Sequence, residues 1–300
     1  MNLLTSNDRV IGVDMGGTKI HAGLVSRNHV QERSLRQVNG AARKEKVLAD
    51  LILCIEELMQ DSVQGIGVGV PSLVDVTSGT VYQMQNIPSW DEVHLGEILR
   101  ERFAVPVYVN NDANCFAIGE KYYGAGKHHA NFVGLTLGTG LGGGVVIHDR
   151  LYEGTSCCAG EFGSIPYLES IFEDYCSGKF FKRLLGMEGR VVSEQARAGE
   201  HAAIRAMHAF GEHLGNLLQT ILFAYDPEAV IFGGSIRRDF PLFEPGVRHA
   251  LQRFPYVHCV ERLKLYASSL ADSPVLGAAA LYWDAHAKRE QGESLGVGVS

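Results

Sequence analysis

Three glycine-rich turns and two aspartates carry the chemistry open to this sequence. Asp14 closes the apolar run Val10–Asp14 and stands just before Met15-Gly16-Gly17-Thr18-Lys19. Gly138-Thr139-Gly140 repeats that pattern after Asn131–Leu137, and Gly233-Gly234-Ser235 follows Val230-Ile231-Phe232. Consecutive backbone N–H groups with no side chain in the way form a concave nest for anionic oxygens. Gly16, Gly17 and Thr18 therefore make one candidate phosphate site, and Gly138, Thr139 and Gly140 a second. A plain β-turn explains most glycine pairs, but two matched hairpins with threonine in each turn favour phosphate. A carboxylate at Asp14 could hold Mg²⁺ through water beside those phosphates, or simply cap its own turn. Lys19 either offsets phosphate charge or is a solvated strand residue. The third turn, at Gly233 and Gly234, leaves room for the flat face of a purine.

Asn111-Asp112 ends the strand-like run Val105–Val109 plus Asn110 and precedes a helix-like stretch. Ligands of parallel sheets gather at the carboxyl ends of strands, so Asp112 is placed to take a proton from a substrate hydroxyl. Asp and Asn are also good helix N-caps, and spacing alone leans toward the cap. Gly160-Glu161-Phe162-Gly163 sets a carboxylate between glycines, where backbone can approach a small ligand closely. Glu173 and Asp174 read as surface acids on physics alone. His208 and His213 do not share a helix face well, and no Cys/His spacing of a zinc site is visible.

The elements that must position these groups alternate along the chain. A strand, glycine turn and strand cover Val10 to Leu24; an amphipathic helix covers Lys46–Gln60; Gly65–Val70 is a buried strand. Leu95–Phe103 and Ala113–Tyr123 read as helices. Asn131–Leu137, a glycine turn over 138–144 and Val145–His148 form a second hairpin, about 120 residues after the first, which predicts two related halves. Gly160–Gly189 reads as long loops, Ser193–Gly199 and Glu200–Ala224 as helices, Ala229–Phe232 and Leu263–Ala267 as strands, and Gly277–Ala287 as a last helix. Gly138-Thr-Gly-Leu-Gly-Gly143 satisfies GxGxxG literally, but a dinucleotide fingerprint opens a helix. Here Val145-Val146-Ile147-His148 follows, a strand, and the oxidoreductase reading is rejected. No P-loop motif occurs.

Composition narrows the classes further. The 300 residues are 46% apolar and 20% charged, with 35 glycines, enough for two domains with a sizeable core. Lys and Arg number 27 against 34 Asp and Glu, a net charge of −7 without a basic block, a poor match to nucleic acid or an anionic membrane. No apolar run reaches the roughly 20 residues of a membrane span, and the N-terminus lacks the form of a signal peptide. The six cysteines make no CxxC pair, which reads as reduced thiols in a cytoplasmic protein.

In this order, the pieces resemble the ROK family of sugar kinases and related repressors, within the actin/hexokinase ATPase superfamily. The matching stretches are Ile11–Lys19, Gly69-Val-Pro-Ser72, Asn86-Ile-Pro-Ser-Trp90, Val109-Asn-Asn-Asp-Ala-Asn114, Leu137–Gly142, Gly154–Gly163, Ile231–Ser235 and Gly277–Ala280. The resemblance implies an α/β, two-domain actin-like (ribonuclease H-like) fold with duplicated halves and a central cleft. The expected division is a small lobe of residues 1–112 plus 272–290, a larger lobe of 113–271, and a frayed tail over 288–300. It further implies ATP and Mg²⁺ as cofactors, with Asp14 at the Mg²⁺–phosphate site, both hairpins on the phosphates, and Gly233-Gly234 bordering adenine. Asp112 becomes the catalytic base, with Asn86, Asn111, Glu161, Ser164 and Glu173 around the sugar. The family usually has Gly-Glu-x-Gly-His and a cysteine-rich zinc loop; this chain has Ser164 in place of that histidine, and no cysteine between Ile165 and Glu173. The two departures together read as a zinc-free variant.

The expected activity is ATP-dependent phosphorylation of a hexose, at the primary hydroxyl and with glucose first. Fructose, mannose, allose and N-acetylhexosamines remain open. The expected partners are a sugar, a nucleotide and a second copy of the chain, with neither nucleic acid nor membrane. A sugar-responsive repressor needs a DNA-binding segment, for which nine residues before the first strand leave no room. A non-catalytic sensor is disfavoured by the presence of both Asp14 and Asp112.

Overall fold

The computed structural model describes residues 9–26, 29–84 and 86–296. The chain divides into two units, residues 1–124, 150–159 and 270–300 in one, and 125–149 and 160–269 in the other. Each has its own apolar core.

In the first unit β1 (Arg9–Met15) and β2 (Lys19–Ser26) pair antiparallel with Met15 opposite Ile20, closing the expected hairpin over Gly16–Gly17–Thr18. β3 (His29–Gln37) adds an antiparallel edge absent from the sequence reading, because mostly polar residues hide its alternation. α1 (Lys44–Glu56) buries Val47, Leu51, Cys54 and Ile55, one face of a 3.6-residue period, and ends before the expected Gln60. β4 (Val63–Val70) runs parallel to β1. β5 (Leu73–Asp75), β6 (Thr80–Tyr82) and β7 (Glu92–Val93) form a small separate sheet. α2 (Leu95–Phe103), β8 (Val107–Asn111) and α3 (Asp112–Tyr123) follow. β8 is parallel to β4, and the sheet order is β3-β2-β1-β4-β8.

The second unit repeats this plan. β9 (Phe132–Leu137) and β10 (Leu141–Ile147) form its hairpin. Its turn is only Gly138–Gly140, which corrects the expected turn over 138–144. Gly142, Gly143 and Gly144 are strand residues, and at Gly143 a Cβ would stand 2.5 Å from the Gly160 carbonyl oxygen. β11 (Arg150–Tyr152) is the edge strand beside β10 in this sheet. After β12 (Pro166–Tyr167) and β13 (Ser170–Ile171), helices α4 (Phe172–Cys176) and α5 (Gly178–Leu185) occupy the stretch expected to be loops. Phe172, Tyr175, Cys176, Phe180 and Phe181 hold them in the core. Next come α6 (Gly189–Arg197), α7 (His201–Tyr225), β14 (Ala229–Gly233), α8 (Phe240–Leu251), α9 (Val257–Arg262) and β15 (Lys264–Ala267). β14 is parallel to β9, and β15 to β14. The order β10-β9-β14-β15 therefore matches β2-β1-β4-β8 in direction and sequence, and the two halves are duplicates.

α10 (Ser273–Gly296) returns the chain to the first unit and packs on its sheet, where Gly12 and Gly67 let the Val275 and Ala278 carbonyls approach. The helix runs past the expected Ala287 into the tail read as frayed; residues 297–300 lie outside the described residues. α3 packs on α10, a Cβ at Gly119 falling 2.8 Å from the Gly277 Cα. The division consequently falls after Gly124 rather than Asp112, and the first unit, not the second, is the larger. Among the described residues, no helix is long and apolar enough to cross a membrane.

Candidate functional site

In the first unit, parallel register places Asp14 of β1 opposite Gly69 of β4, and Gly69 opposite Asn110 of β8. Gly69 has no side chain to fill the space there: its Cβ would lie 3.0 Å from Cys115 Sγ and 3.8 Å from the Asp112 Cα. Asp14 and Asp112 thus approach one edge of the sheet, at the carboxyl ends of β1 and β8. The buried Cys115 thiol reports both: burial pushes its pKa well up, and the charges of Asp112 and Asp14 push it further. Burial also raises the Asp14 carboxyl above the ordinary range, against the pull of Lys19 and His21. A desolvated carboxylate beside an open turn suits a cation, which would offset the hydration that burial removed.

Asp112 is exposed at the first position of α3. The cap belongs to Asn111, whose side chain accepts from the Ala113 amide at 2.8 Å, while its Nδ2 donates to the Ser72 carbonyl at 3.3 Å. Asp112 Oδ1 accepts from the same amide at 2.8 Å, which orients the carboxylate. Behind them Asn110 forms a buried brace that sequence reasoning missed. Its Nδ2 donates to Glu153 at 2.9 Å, and its Oδ1 accepts from the Asn111 amide at 2.8 Å and from Asn114 at 3.0 Å. Asn110 directly precedes the expected pair, the only signal available.

The hairpin turns separate into open and packed glycines. A Cβ on Gly16 would meet nothing closer than the Lys19 carbonyl at 3.5 Å, and one on Gly138 nothing closer than Ser235 Oγ at 3.9 Å. Neighbouring protein atoms do not require glycine at those two positions, which leaves them accessible to a ligand. At Gly17 a Cβ would collide with Asn86, so the expected sugar residue Asn86 packs on the first glycine turn. Thr18, Lys19 and Thr139 are exposed at the tips. At Gly140 a Cβ would stand 2.7 Å from Glu173 Oε2.

Glu173 bridges two elements of the second unit. Its Oε2 accepts from the Leu141 amide at 3.1 Å and its Oε1 from Lys179 Nζ at 2.6 Å. Glu161 faces Glu173: partial desolvation, then the Glu173 charge, raises its pKa. Ser164 is exposed one short turn after Glu161, its amide donating to the Glu161 carbonyl at 3.2 Å. Gly233 ends β14 opposite Thr136. Gly234 follows at a φ of +74°, against the Leu137 backbone, where only glycine fits. Arg237, missed in the sequence, clamps that turn by donating to the Gly234 carbonyl at 2.7 Å and the Ser268 carbonyl at 3.0 Å. The Gly178 amide donates to the Gly138 carbonyl at 2.8 Å, tying α5 to the second glycine turn. Gly138, Gly140, Glu161, Glu173, Gly233 and Gly234 are thereby gathered at one end of this unit's sheet.

Comparison with known proteins places the chain in a family. The ROK family model matches residues 10–285. A glucokinase of Thermotoga maritima is 29% identical, over 91% of this chain and 96% of its own. A xylose repressor of Caldicellulosiruptor bescii is 28% identical, over 91% of this chain and 77% of its own. The solved structure of a ROK family glucokinase from Streptomyces griseus, in complex with glucose and AMPPNP, superposes with a TM-score of 0.74. It is 29% identical and the match covers 91% of this chain and 98% of that one. The fold is accordingly the expected α/β actin-like one with duplicated halves.

Proposed function

Because the chain belongs to the ROK family, we propose that it is a kinase transferring the γ-phosphoryl group of ATP to a hexose hydroxyl, with the 6-OH of glucose as the first candidate. The carrying observation is the side-chain-free space at Gly69, with Asp14 and Asp112 beside it. Asp112 accepts the hydroxyl proton as the sugar oxygen attacks the γ-phosphorus in line; the Ala113 amide orients its carboxylate and the Asn110 brace fixes the strand end. Phosphoryl transfer asks mainly for positioning and charge stabilisation. Gly17 and Thr18 with Lys19, and Thr139 and Gly140, face the phosphates on two turns that the Gly16 and Gly138 amides close by donating to the Lys19 and Gly140 carbonyls at 2.9 and 3.0 Å, and Gly233-Gly234 borders the adenine. Asp14 would hold Mg²⁺ through water, and the ion when bound neutralises phosphate charge. Asn111, Glu161 and Ser164 are the proposed sugar contacts, with Asn86 at the first turn. We assign Glu173 to bracing the second turn, since Leu141 and Lys179 already engage both its oxygens.

The test is ADP release with ATP–Mg²⁺ across a panel of hexoses and N-acetylhexosamines. Turnover on one sugar that disappears in Asp112→Ala supports both class and base. The repressor relatives favour one other reading, a sugar-responsive regulator without catalysis. Silence across the panel, with sugar binding retained, would establish that reading instead.

A further inference from the structure

His208 and Glu212 stand one helical turn apart on α7 and so share a face. His249 of α8 comes to the same face. Among the described residues, this is the one group of three such side chains whose ligand atoms all lie within 4.8 Å of one another. His249 Nδ1 is 3.5 Å and His208 Nδ1 3.9 Å from Glu212 Oε1, and the two imidazole rings are 5.7 Å apart at 71°. All three side chains are partly open to solvent, with 41%, 35% and 55% exposure for His208, Glu212 and His249.

We propose that His208, Glu212 and His249 bind one divalent transition-metal ion of the Zn²⁺ type, a site separate from the sugar and nucleotide residues above. Zinc takes nitrogen and carboxylate ligands at about 2.0–2.2 Å, so two ligand atoms of a tetrahedral site lie roughly 3.4 Å apart. The His249–Glu212 separation already matches, and the His208–Glu212 separation needs only a small side-chain rotation. Two imidazoles with one carboxylate select zinc, copper or nickel over magnesium and calcium, which prefer oxygen. Three protein ligands with a solvent-facing side leave the fourth position to water.

The scaffold is rigid where it must be. α7 and α8 cross in backbone contact: a Cβ on Gly246 would collide with the His208 carbonyl and lie 2.9 Å from the Glu212 nitrogen. On the other helix, Gly211 and Gly215 meet the α8 backbone at Phe243 and Val247. The ligands are thus held on main chain that cannot slide, and an ion bound there would staple the two helices together. A His–carboxylate surface pair needs no such third group.

The experiment titrates Zn²⁺, and then Co²⁺ as a spectroscopic probe, into the chelator-treated full chain without sugar or nucleotide. Expected are one equivalent bound per chain, visible Co²⁺ d–d bands, and a melting temperature raised at saturation. His249→Ala and Glu212→Gln should each weaken binding at least about tenfold and remove the bands, whereas His201→Ala, at the exposed start of α7, should change neither. All three positions are partly exposed, so these variants should fold; His208→Asn gives a third test if one does not. Absence of saturable binding, or one equivalent bound unchanged in both ligand variants, overturns the assignment.

Discussion

Glu173 Oε2 accepts a hydrogen bond from the Leu141 amide at 3.1 Å and stands 2.7 Å from where a Cβ on Gly140 would be. The second glycine turn is therefore shaped from below by a carboxylate, itself held by Lys179 at 2.6 Å. No counterpart of this brace is needed in the first turn, where the Asn86 segment packs on Gly17 instead. The duplicated hairpins share strand pairing but not their supports, and substitutions should act on them differently.

Gly140→Ala and Gly234→Ala should separate cleanly in a melting experiment. The atom blocking a Cβ at 140 is the tip of a side chain that can swing aside, so the loss is one hydrogen bond, about 1 kcal/mol. At 234 the obstacles are the Leu137 main chain and a φ of +74°, which together cost about 3 kcal/mol or more. Equal losses in the two variants would refute this division.

Asp112→Asn should fold normally yet turn over at least about 10²-fold more slowly, the loss expected for a missing general base. Asn111→Ala should do the reverse in stability, losing about 1 kcal/mol with the α3 cap. A large drop in melting temperature for Asp112→Asn would make it structural, and near-normal turnover would remove the base assignment.

Much of the frame was legible in the sequence because its strands bury continuous apolar runs and its turns are marked by glycine. β1, β4, β9 and β14 are of this kind. β3 was not legible, since polar residues such as Glu32 and Arg33 break its alternation on an edge strand. Pro241 and Pro245 hid α8, which tolerates the first within its opening turn. α4 and α5 are each too short to display a helical period, with the break at Ser177 between them. Asp14 and Asp112 stood out by position after strands, but the Asn110 brace and the Arg237 clamp depend on partners 31 to 43 residues away. The same applies to His208 and His249, which only the α7–α8 crossing brings together.

Arg237→Ala should weaken nucleotide binding while sparing the chemical step. Its two donors hold the Gly234 and Ser268 carbonyls, and losing them loosens the turn proposed to border adenine. The expected signature is a several-fold rise in KM for ATP with little change in kcat or in KM for sugar. Lysine should rescue poorly, because one ammonium cannot reproduce the planar fork. An effect confined to kcat would place Arg237 elsewhere in the mechanism.

Asp14→Asn should raise the melting temperature of the nucleotide-free chain at neutral pH. Burial lifts the folded-state pKa of Asp14 above its ordinary value, so the folded chain holds that proton more tightly than the unfolded chain does. Stability from this group therefore increases as pH falls from the raised value toward the ordinary one, and at neutral pH the ionised carboxylate destabilises the fold. Asparagine removes that penalty, and the difference between variant and wild type should vanish in acid, where Asp14 is protonated in both states. Saturating ATP–Mg²⁺ should reverse the order, stabilising wild type through binding and leaving the variant nearly unmoved and without turnover. A variant less stable than wild type at neutral pH would contradict the burial penalty; full nucleotide protection in the variant would contradict the Mg²⁺ role.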